Sequence, residues 1–386
     1  MSVSDGAKPR RQRTQATIHS VAARAGVSTA TVSRVLNGVG TVDAALADRV
    51  RAACDALQYS PNRAARALAG GGSAIVGVLV SDIQNPFFME LVRGVEDVLQ
   101  QDDYLLVLCN SKEDADRERR YIGVMCAEAV AGAIVVPTTD RTPILQPFAD
   151  GGIPVVAVDR RAHGRSIDTV LIDNVAAARE AVTHLIGQGY SRIGVINGPQ
   201  RATTARERLE GYRLALGDAH LPGDPQLERR GAFTEESGRR LADELLDLEP
   251  PVEALLAGNN RLTMGALQAL HARGLRLPDD IALVGFDEVP WVSPGSVSLT
   301  TIAQPAYELG VTAATRLVQR LRATGPLARQ EIMLGHQLHV GESSAPLQAR
   351  GYDGVLAPYT DIVVTHRRST TVGAPGPTNS AVLLPP

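Results

Sequence analysis

Residues 16–38 read ATIHSVAARAGVSTATVSRVLNG, and this stretch decides the fold of the first part of the chain. Thr17 and Ser28 are residue types that cap the N-termini of helices, and Gly26 is the type that ends one. From Val32 onward, apolar residues recur at three- and four-residue spacing, which places them on one face of a helix. The stretch therefore predicts two short helices joined by a glycine turn.

The residues that follow complete a small helical module. Apolar side chains between positions 43 and 57 share one side of a third helix, so residues 16–61 predict a helix-turn-helix. The segment YSPNRAARALAGGG then predicts a fourth helix over 62–69, which three glycines end. Because a helix of this length is too short to be stable alone, DNA is a candidate for ordering it. We expect residues 62–73 to form a hinge helix and linker.

Basic residues concentrate at the N-terminus of a chain whose formal net charge is −3. The first 72 residues contain ten basic and four acidic side chains, so the remainder of the chain is acidic. A basic module on an acidic body is the charge distribution of a protein that contacts phosphate, although an incidentally basic tail gives the same count. We expect residues 1–15 to be a flexible basic arm.

From residue 74 the pattern changes to alternating strands and helices. Buried strands are predicted at seven short apolar runs: 75–80, 104–110, 132–137, 154–159, 192–198, 254–258 and 281–286. Helical stretches lie between them, and this alternation predicts an α/β body of parallel sheets flanked by helices. Residues 345–386 are rich in Pro, Gly, Ser and Thr and have no helical period, so we expect a disordered tail.

Several function classes are excluded by absent motifs. No apolar run is long enough to cross a membrane and no secretory signal is recognisable, so we expect a soluble cytoplasmic protein. The three cysteines share no metal-type spacing, and we expect neither a metal nor a cofactor. The glycines at 70–72 precede a strand instead of following one, and no P-loop, nucleophile elbow or zincin motif occurs. An enzyme is therefore not expected.

Polar and aromatic side chains follow the predicted strands, at the ends where doubly wound sheets bind ligands. Carboxylates, an amide, an arginine and an aromatic surface are groups that bind sugar hydroxyls and an apolar sugar face. A phenylalanine at such a place can also be a core residue, and a strand-end aspartate can simply cap the next helix. The candidate effector-binding residues are Asp82, Phe87, Asp159, Arg208, Phe233, Asn259 and Asp287.

The stretch quoted first, followed by YSPNRAARALAGG and IVGVLVSDIQNPFF, resembles the LacI/GalR family of bacterial repressors, and the similarity extends from Ala16 to Ser344. The resemblance implies a multidomain protein whose body, residues 74–344, is periplasmic-binding-protein-like. Its two Rossmann-like lobes would hold an effector, a sugar or sugar derivative, in the cleft between them. The resemblance also implies a homodimer or higher oligomer on a near-palindromic operator. Five candidates match hydroxyl-binding or pocket-lining positions of the family: Arg208, Asn259, Asp287, Phe87 and Phe233.

The same resemblance assigns roles within the helix-turn-helix. Thr29, Ala30 and Arg34 become base readers in the major groove, and Arg34 can offer a bidentate pair of donors to a guanine. A hinge leucine, here Leu68 beside Ala65, enters the minor groove and kinks the duplex. The remaining candidate DNA-binding residues, most of which position the DNA backbone, are Thr17, Ser28, Thr31, Ser33, Asn37, Tyr59 and Asn62.

Three positions depart from the family pattern. Ser20 stands where an acid usually closes a capping box, so we expect a modest loss of stability without loss of DNA binding. Asn260 replaces the usual Asp and Gly341 a common Arg, and these changes bear on the ligand class and on closure of the lobes.

We also expect Arg208 and Asp287 to lie on opposite lobes or at their seam, where a ligand held by both favours closure.

These patterns predict a sequence-specific DNA-binding transcription regulator, a repressor acting at the nucleoid, under allosteric control by a small molecule. The alternative is a sugar-binding transport protein, which shares the two-lobed body. A transport protein should carry a signal peptide and lack the basic helical module, whereas this chain shows the reverse. A gel-shift assay with the DNA upstream of its own gene separates the two.

Overall fold

The computed structural model describes residues 16–36, 42–59, 73–140, 144–162, 167–288 and 297–345. Three predicted segments lie outside the described residues: the basic arm 1–15, the hinge helix 62–69 and the tail from 346 onward. Four candidate DNA-binding residues also lie outside them, namely Asn37, Asn62, Ala65 and Leu68.

Three short helices form the N-terminal module: α1 (Ile18–Ala25), α2 (Thr29–Leu36) and α3 (Ala44–Leu57). Their shared core contains one fully buried valine from each helix, Val21, Val32 and Val50. Gly26 ends α1 with a φ of 67°, a left-handed conformation that glycine adopts without steric cost. This abrupt end lets the chain turn at once into α2, and the predicted helix-turn-helix is confirmed.

Ser20 closes the capping box of α1 although it is not an acid. Its hydroxyl accepts a hydrogen bond from the N–H of Thr17 at 2.9 Å, and Thr17 Oγ1 accepts one from the N–H of Ser20 at 3.3 Å. The Ser20 hydroxyl also donates to the carbonyl oxygen of Thr17 at 2.7 Å. The serine thus satisfies the backbone donor that an acid would satisfy, and the modest loss of stability expected at this position stays a prediction.

Two six-stranded sheets form the body. In spatial order, the first contains β2 (Leu105–Asn110), β1 (Ile75–Val80), β3 (Gly132–Val135), β4 (Val155–Val158), β5 (Asp168–Ile172) and β11 (Glu331–Leu334), all parallel. The second contains β7 (Glu228–Arg230), β6 (Ile193–Asn197), β8 (Ala254–Ala257), β9 (Ala282–Phe286), β10 (Thr300–Ala303) and β12 (Gln337–His339). Only β12, which pairs with β10, runs antiparallel in that sheet. We call each sheet with its helices a lobe.

Helices cover both faces of each sheet. The first lobe carries α4 (Pro86–Gln101), α5 (Ala115–Ala127), α6 (Gln146–Asp150) and α11 (Ala306–Arg322). The second carries α7 (Asn174–Gly187), α8 (Thr203–Asp218), α9 (Glu235–Leu246) and α10 (Asn260–Ala272), with single 3₁₀ turns at Pro225–Leu227 and Glu342–Ser344. None of the helices in the described ranges is long and apolar enough to cross a membrane.

Alternate strand residues enter separate cores on the two faces of a sheet, as the period of two requires. In the first lobe, Val76 and Val78 pack toward α4 and α11, whereas Leu79 and Val135 pack toward α5 and α6. Helices α4 and α11 approach closely at Gly94, where an added Cβ would lie 2.2 Å from the backbone oxygen of Tyr307. These cores hold the sheets rigid, so that the strand ends form fixed supports for side chains.

The chain passes between the lobes three times: after β5, after β10 and after β11. Each lobe is therefore assembled from discontinuous stretches of sequence. The seven predicted strands correspond to β1, β2, β3, β4, β6, β8 and β9, within two residues at each end. Strands β5, β7, β10, β11 and β12 were not among the seven.

Candidate functional site

Helix α2 presents a polar surface opposite its buried side. Val32 is fully buried, whereas Ala30 and Arg34 are exposed. The partly exposed residues beside them are Thr29, Thr31 and Ser33. Short side chains around one long cation suit a helix whose backbone must lie close to the base edges in a major groove.

Three other predicted DNA-contact positions have structural roles within the same module. Ser28 caps α2, since its Oγ accepts a hydrogen bond from the N–H of Thr31 at 3.1 Å and contacts the Thr31 hydroxyl at 2.9 Å. Thr17 caps α1, and Tyr59 is partly buried against the core of the module. Thr17 and Ser28 are also exposed, so capping leaves them accessible to a phosphate.

A cavity of about 450 Å³ lies between the two lobes, and all seven candidate effector-binding residues line it. The first lobe contributes Asp82, Phe87 and Asp159. The second lobe contributes Arg208, Phe233, Asn259 and Asp287. The structure thus brings together, from strand ends far apart in sequence, the side chains that the sequence grouped by chemistry.

Two carboxylates occupy corresponding positions in the two lobes. Asp159 follows β4 and Asp287 follows β9, and both have a φ of 66° and are buried. Burial raises the pKa of Asp159 to about 6, despite the opposing effect of Arg160 and Arg208. Burial likewise raises the pKa of Asp287, although Arg208 and a 2.5 Å hydrogen bond from Gln304 Nε2 oppose the shift. Both are strong acceptors for hydroxyl groups that enter the cavity.

Arg208 is a buried cation held in a fixed position. Its Nε donates to Asn174 Oδ1 at 2.9 Å and its Nη1 to the carbonyl oxygen of Gly258 at 2.6 Å. Its guanidinium lies 4.1 Å from the centre of the Phe286 ring. Burial lowers its pKa from the usual value, opposed by Asp287 and Asp159. An arginine remains charged under such conditions, so it can donate to an acceptor in the cavity.

Arg208 and Asp287 were expected on opposite lobes or at their seam, and the structure shows the second arrangement. Both belong to the second lobe, on α8 and after β9, so they do not lie on opposite lobes; they meet the cavity at the seam. The facing carboxylate of the first lobe is Asp159. Both residues lie in the second lobe because the whole stretch of chain from β6 to β10, which contains them, belongs to that lobe.

The remaining predicted residues combine a local role with their place on the wall. Asp82 Oδ1 accepts a hydrogen bond from the N–H of Gln84 at 3.0 Å, and Asn259 Oδ1 accepts one from Leu262 at 2.9 Å, so Asn259 caps α10. Phe87 is buried in the core of the first lobe and also borders the cavity. Phe233 lies against Gly198, with the guanidinium of Arg160 5.6 Å from its ring centre. The capping and core alternatives therefore hold for these residues, and their place on the cavity wall leaves the binding role a prediction.

Several wall residues were not identified from the sequence, among them Asn85, Arg160 and Gln304. Arg160 is buried and donates two hydrogen bonds to the Glu113 carboxylate, at 2.9 and 2.5 Å. Its neighbour Asp159 was the available signal, because both follow the same strand. Gln304 follows β10 in the same way, but that strand was not predicted.

The two departures in the body have different consequences. Asn260 Nδ2 donates to Asn85 Oδ1 at 2.8 Å, a buried contact that joins α10 of the second lobe to the start of α4 in the first. This neutral contact therefore links the two lobes at the seam. Gly341 lies beside the opposite end of β10, where a Cβ would come within 2.6 Å of the Leu299 backbone. Only glycine fits there, and the position does not border the cavity.

Two family descriptions match the chain. Residues 17–62 match the bacterial regulatory proteins of the lacI family, and residues 73–333 match the periplasmic binding proteins and sugar binding domain of the LacI family. A curated relative, the ribose operon repressor of Halalkalibacterium halodurans, is 36% identical over 305 residues, covering 79% of this chain and 90% of that protein.

Solved structures agree with this match. The lac repressor dimer bound to operator and the anti-inducer ONPF has a TM-score of 0.74 and 27% identity, covering 86% of this chain and 99% of that one. A LacI family regulator from Enterococcus faecium with bound ribose has a TM-score of 0.64 and 30% identity, covering 71% and 99%. Both domains of this chain, in this order and over this length, place it in one family: the chain belongs to the LacI family of bacterial regulatory proteins.

Proposed function

We propose that this chain is a repressor whose affinity for operator DNA is controlled by a sugar of about the size of ribose, bound between the lobes. The observation that carries the proposal is the presence in one chain of the polar α2 surface around Arg34 and the cavity lined by Arg208, Asp159 and Asp287. A transport protein does not need the polar α2 surface. The relative named as a ribose operon repressor and the structure with bound ribose support the choice of sugar.

Control follows from differential binding to two arrangements of the lobes. A sugar that accepts from Arg208 in the second lobe and donates to Asp159 in the first has more contacts when the cleft is closed. The N-terminal module joins the body through the residues before β1, a strand of the first lobe. Movement of this lobe against the second can therefore change the spacing of two modules in a dimer.

A dimer is required because one helix-turn-helix reads only a few base pairs, and a two-fold protein pairs with a two-fold site. Strand β2 is the edge of the first sheet, and it exposes Leu105, Val107 and Leu108. An uncovered apolar edge is a site of association. We propose that this edge contributes to the contact between two copies.

The test is an operator-binding titration with the purified full chain and the DNA upstream of its own gene. We expect a complex of two chains on a near-palindromic site, and a change in its affinity when ribose or a similar monosaccharide is added. No binding to any such DNA, with the sugar bound normally, would favour the transport alternative.

Replacing Arg34 with Ala should weaken binding to the preferred operator by about 1–3 kcal/mol and binding to random DNA much less. The exposed guanidinium on α2 is the side chain able to form a bidentate contact with a guanine edge. Arg51→Ala, which removes an exposed arginine paired with Asp48 on α3, is the matched control. Equal losses on operator and random DNA would make Arg34 a phosphate contact only.

Effector affinity should decrease as the pH falls below about 6, by at most about tenfold per pH unit. Burial raises the pKa of Asp159 to about 6, so at neutral pH its carboxylate is ionised and accepts from sugar hydroxyls. Below that pH the protonated form predominates, and binding must expel the proton. Calorimetric titrations across this range measure the effect. Asp159→Asn should bind more weakly and give a flatter profile, and an unchanged profile would contradict the role of Asp159.

A further inference from the structure

The cavity wall contains a second group of charged residues beyond those assigned above. Lys112 lies in the loop after β2 of the first lobe, and Arg201 and Arg261 lie after β6 and in the first turn of α10 of the second. Lys112 and Arg201 are exposed although they line the cavity, so they lie at its open side. We call Lys112, Arg201 and Arg261 the outer cations.

The charges of the outer cations are poorly compensated. In the described part of the chain, Lys112 and Arg201 have no carboxylate at ion-pair distance, and Arg201 donates to the backbone oxygen of Glu113 at 3.0 Å. Arg261 differs, because its Nε forms an ion pair with Glu235 Oε1 at 3.5 Å, although this buried nitrogen has no hydrogen-bond partner. An anion that entered the open side of the cavity would supply the missing partner.

The acids of the same wall are already engaged. Glu113 receives both hydrogen bonds of Arg160, and its pKa is lowered because Arg160 and Arg201 together outweigh the raising effect of burial. Asp82 accepts from the backbone of Gln84 at 3.0 Å. The outer part of the cavity therefore presents a surplus of positive charge, unlike the inner part, where Arg208 faces Asp159 and Asp287.

The backbone holds Lys112 in place at some cost. Lys112 and Glu113 have φ values of 53° and 58°, two consecutive left-handed residues that both carry a Cβ. Hydrogen bonds from Lys112 N–H to Asn110 Oδ1 and from Glu113 N–H to the Ser81 oxygen, both 3.1 Å, enforce this conformation. Strain that the surroundings enforce beside a cavity indicates that the side chains it positions are used there.

The choice of residue type points to the same conclusion. Lys8 and Lys112 are the two lysines among the 39 basic residues, so arginine is the usual cation of this chain. A lysine ammonium is a compact charge on a flexible stem, and it suits a phosphate or carboxylate whose position varies at the edge of a site.

We propose that the effector is an anionic sugar, whose ring occupies the inner part of the cavity and whose phosphate or carboxylate group is bound by the outer cations. This inference rests on the proposed function of the same cavity. Because Lys112 belongs to the first lobe and Arg201 and Arg261 to the second, the anion contacts both lobes and adds to the free energy of closure.

The experiment titrates the full chain calorimetrically with three probes: ribose, ribose 5-phosphate and ribonate. We expect at least one charged probe to bind about tenfold more tightly than ribose at low salt and to lose this advantage as salt is added. The phosphate and carboxylate arms identify which anion is preferred. The Lys112→Gln/Arg201→Gln double variant should bind the charged probe about as weakly as it binds ribose, so that the ratio of the two affinities falls to about one.

An Arg119→Gln/Arg240→Gln double variant is the matched control, because both arginines are exposed and do not line the cavity. Equal affinity for all three probes, or a charged probe that binds the first double variant as it binds the parent, would overturn the anionic assignment and leave the proposed function intact. If none of the probes binds or alters the operator complex, the proposed function fails with it.

Discussion

Arg208→Ala should bind operator as well as the parent protein and lose about a hundredfold or more of its affinity for the effector. The guanidinium is buried, and without it Asp287 loses the main cation that opposes its burial, while Asp159 keeps only Arg160. Ligand hydroxyl oxygens also lose a charge-assisted donor that Asn174 and Gly258 hold in place. Effector titrations of preformed operator complexes measure the change, and an unaltered midpoint would remove Arg208 from the site.

Two further variants make this result interpretable. Arg213 lies on the same helix as Arg208, is exposed and pairs with Glu228. The Arg213→Ala variant should therefore respond to effector like the parent. Arg208→Lys retains the charge but cannot keep both the Asn174 and Gly258 contacts, so an intermediate affinity is expected. If all three variants respond alike, the buried arginine has a structural role alone.

Asp168→Ala should lower the free energy of unfolding by about 3–5 kcal/mol, the largest effect on stability expected from a single polar residue here. Asp168 is fully buried and accepts from Arg316 Nε at 2.7 Å, from Arg320 Nη2 at 2.8 Å and from the N–H of Gln330 at 2.7 Å. Its removal leaves two cations and a backbone donor without their acceptor between α11, β5 and β11. Urea unfolding followed by circular dichroism measures the loss.

The control is Asp218→Ala, because Asp218 forms an exposed ion pair with Arg179 that should contribute at most about 1 kcal/mol. Burial raises the pKa of Asp168, but hydrogen bonds from Arg320, Arg316 and Gln330 outweigh it, so the pKa is lowered below 3.8. Asp168 therefore contributes fully to the free energy of unfolding at pH values above 3.8, and this contribution is lost as the pH falls through its lowered pKa. Equal losses in both variants would show that the buried cluster adds nothing beyond a surface pair.

The strands that could be predicted are those whose own residues form an apolar run. Strand β5 begins with Asp168 and Thr169, which are buried and polar; the burial of Asp168 is compensated by Arg316 and Arg320, from a helix about 150 residues later. Strands β11 and β12 lie at sheet edges, with four and three residues of alternating exposure. They bury too little apolar surface to produce an apolar run that would predict a strand from the sequence.

Most of the predicted cavity residues share one feature that a sequence shows, namely a position within three residues after a strand; Phe87 and Arg208, which lie in helices, are the exceptions. Arg160 shares that feature, but its burial depends on Glu113, 47 residues earlier, and no local pattern encodes that pair. The contact of Asn260 with Asn85 spans 175 residues and closes the seam. Chemistry at strand ends could therefore be predicted, whereas the partners that fix each side chain depend on the complete fold.

The three passages of the chain between the lobes also constrain how the protein is made. Strand β11 completes the first sheet and β12 the second, and they are the last two strands in the sequence. Neither lobe can finish folding on the ribosome until almost the whole body has been synthesised. One lobe therefore cannot be completed before the other. During translation the nascent sheets each carry an unfilled edge, β5 in the first and β10 in the second. A chain that stops short of residue 331 leaves both edges open, and we expect it to aggregate or be degraded and not to persist as a one-lobed fragment.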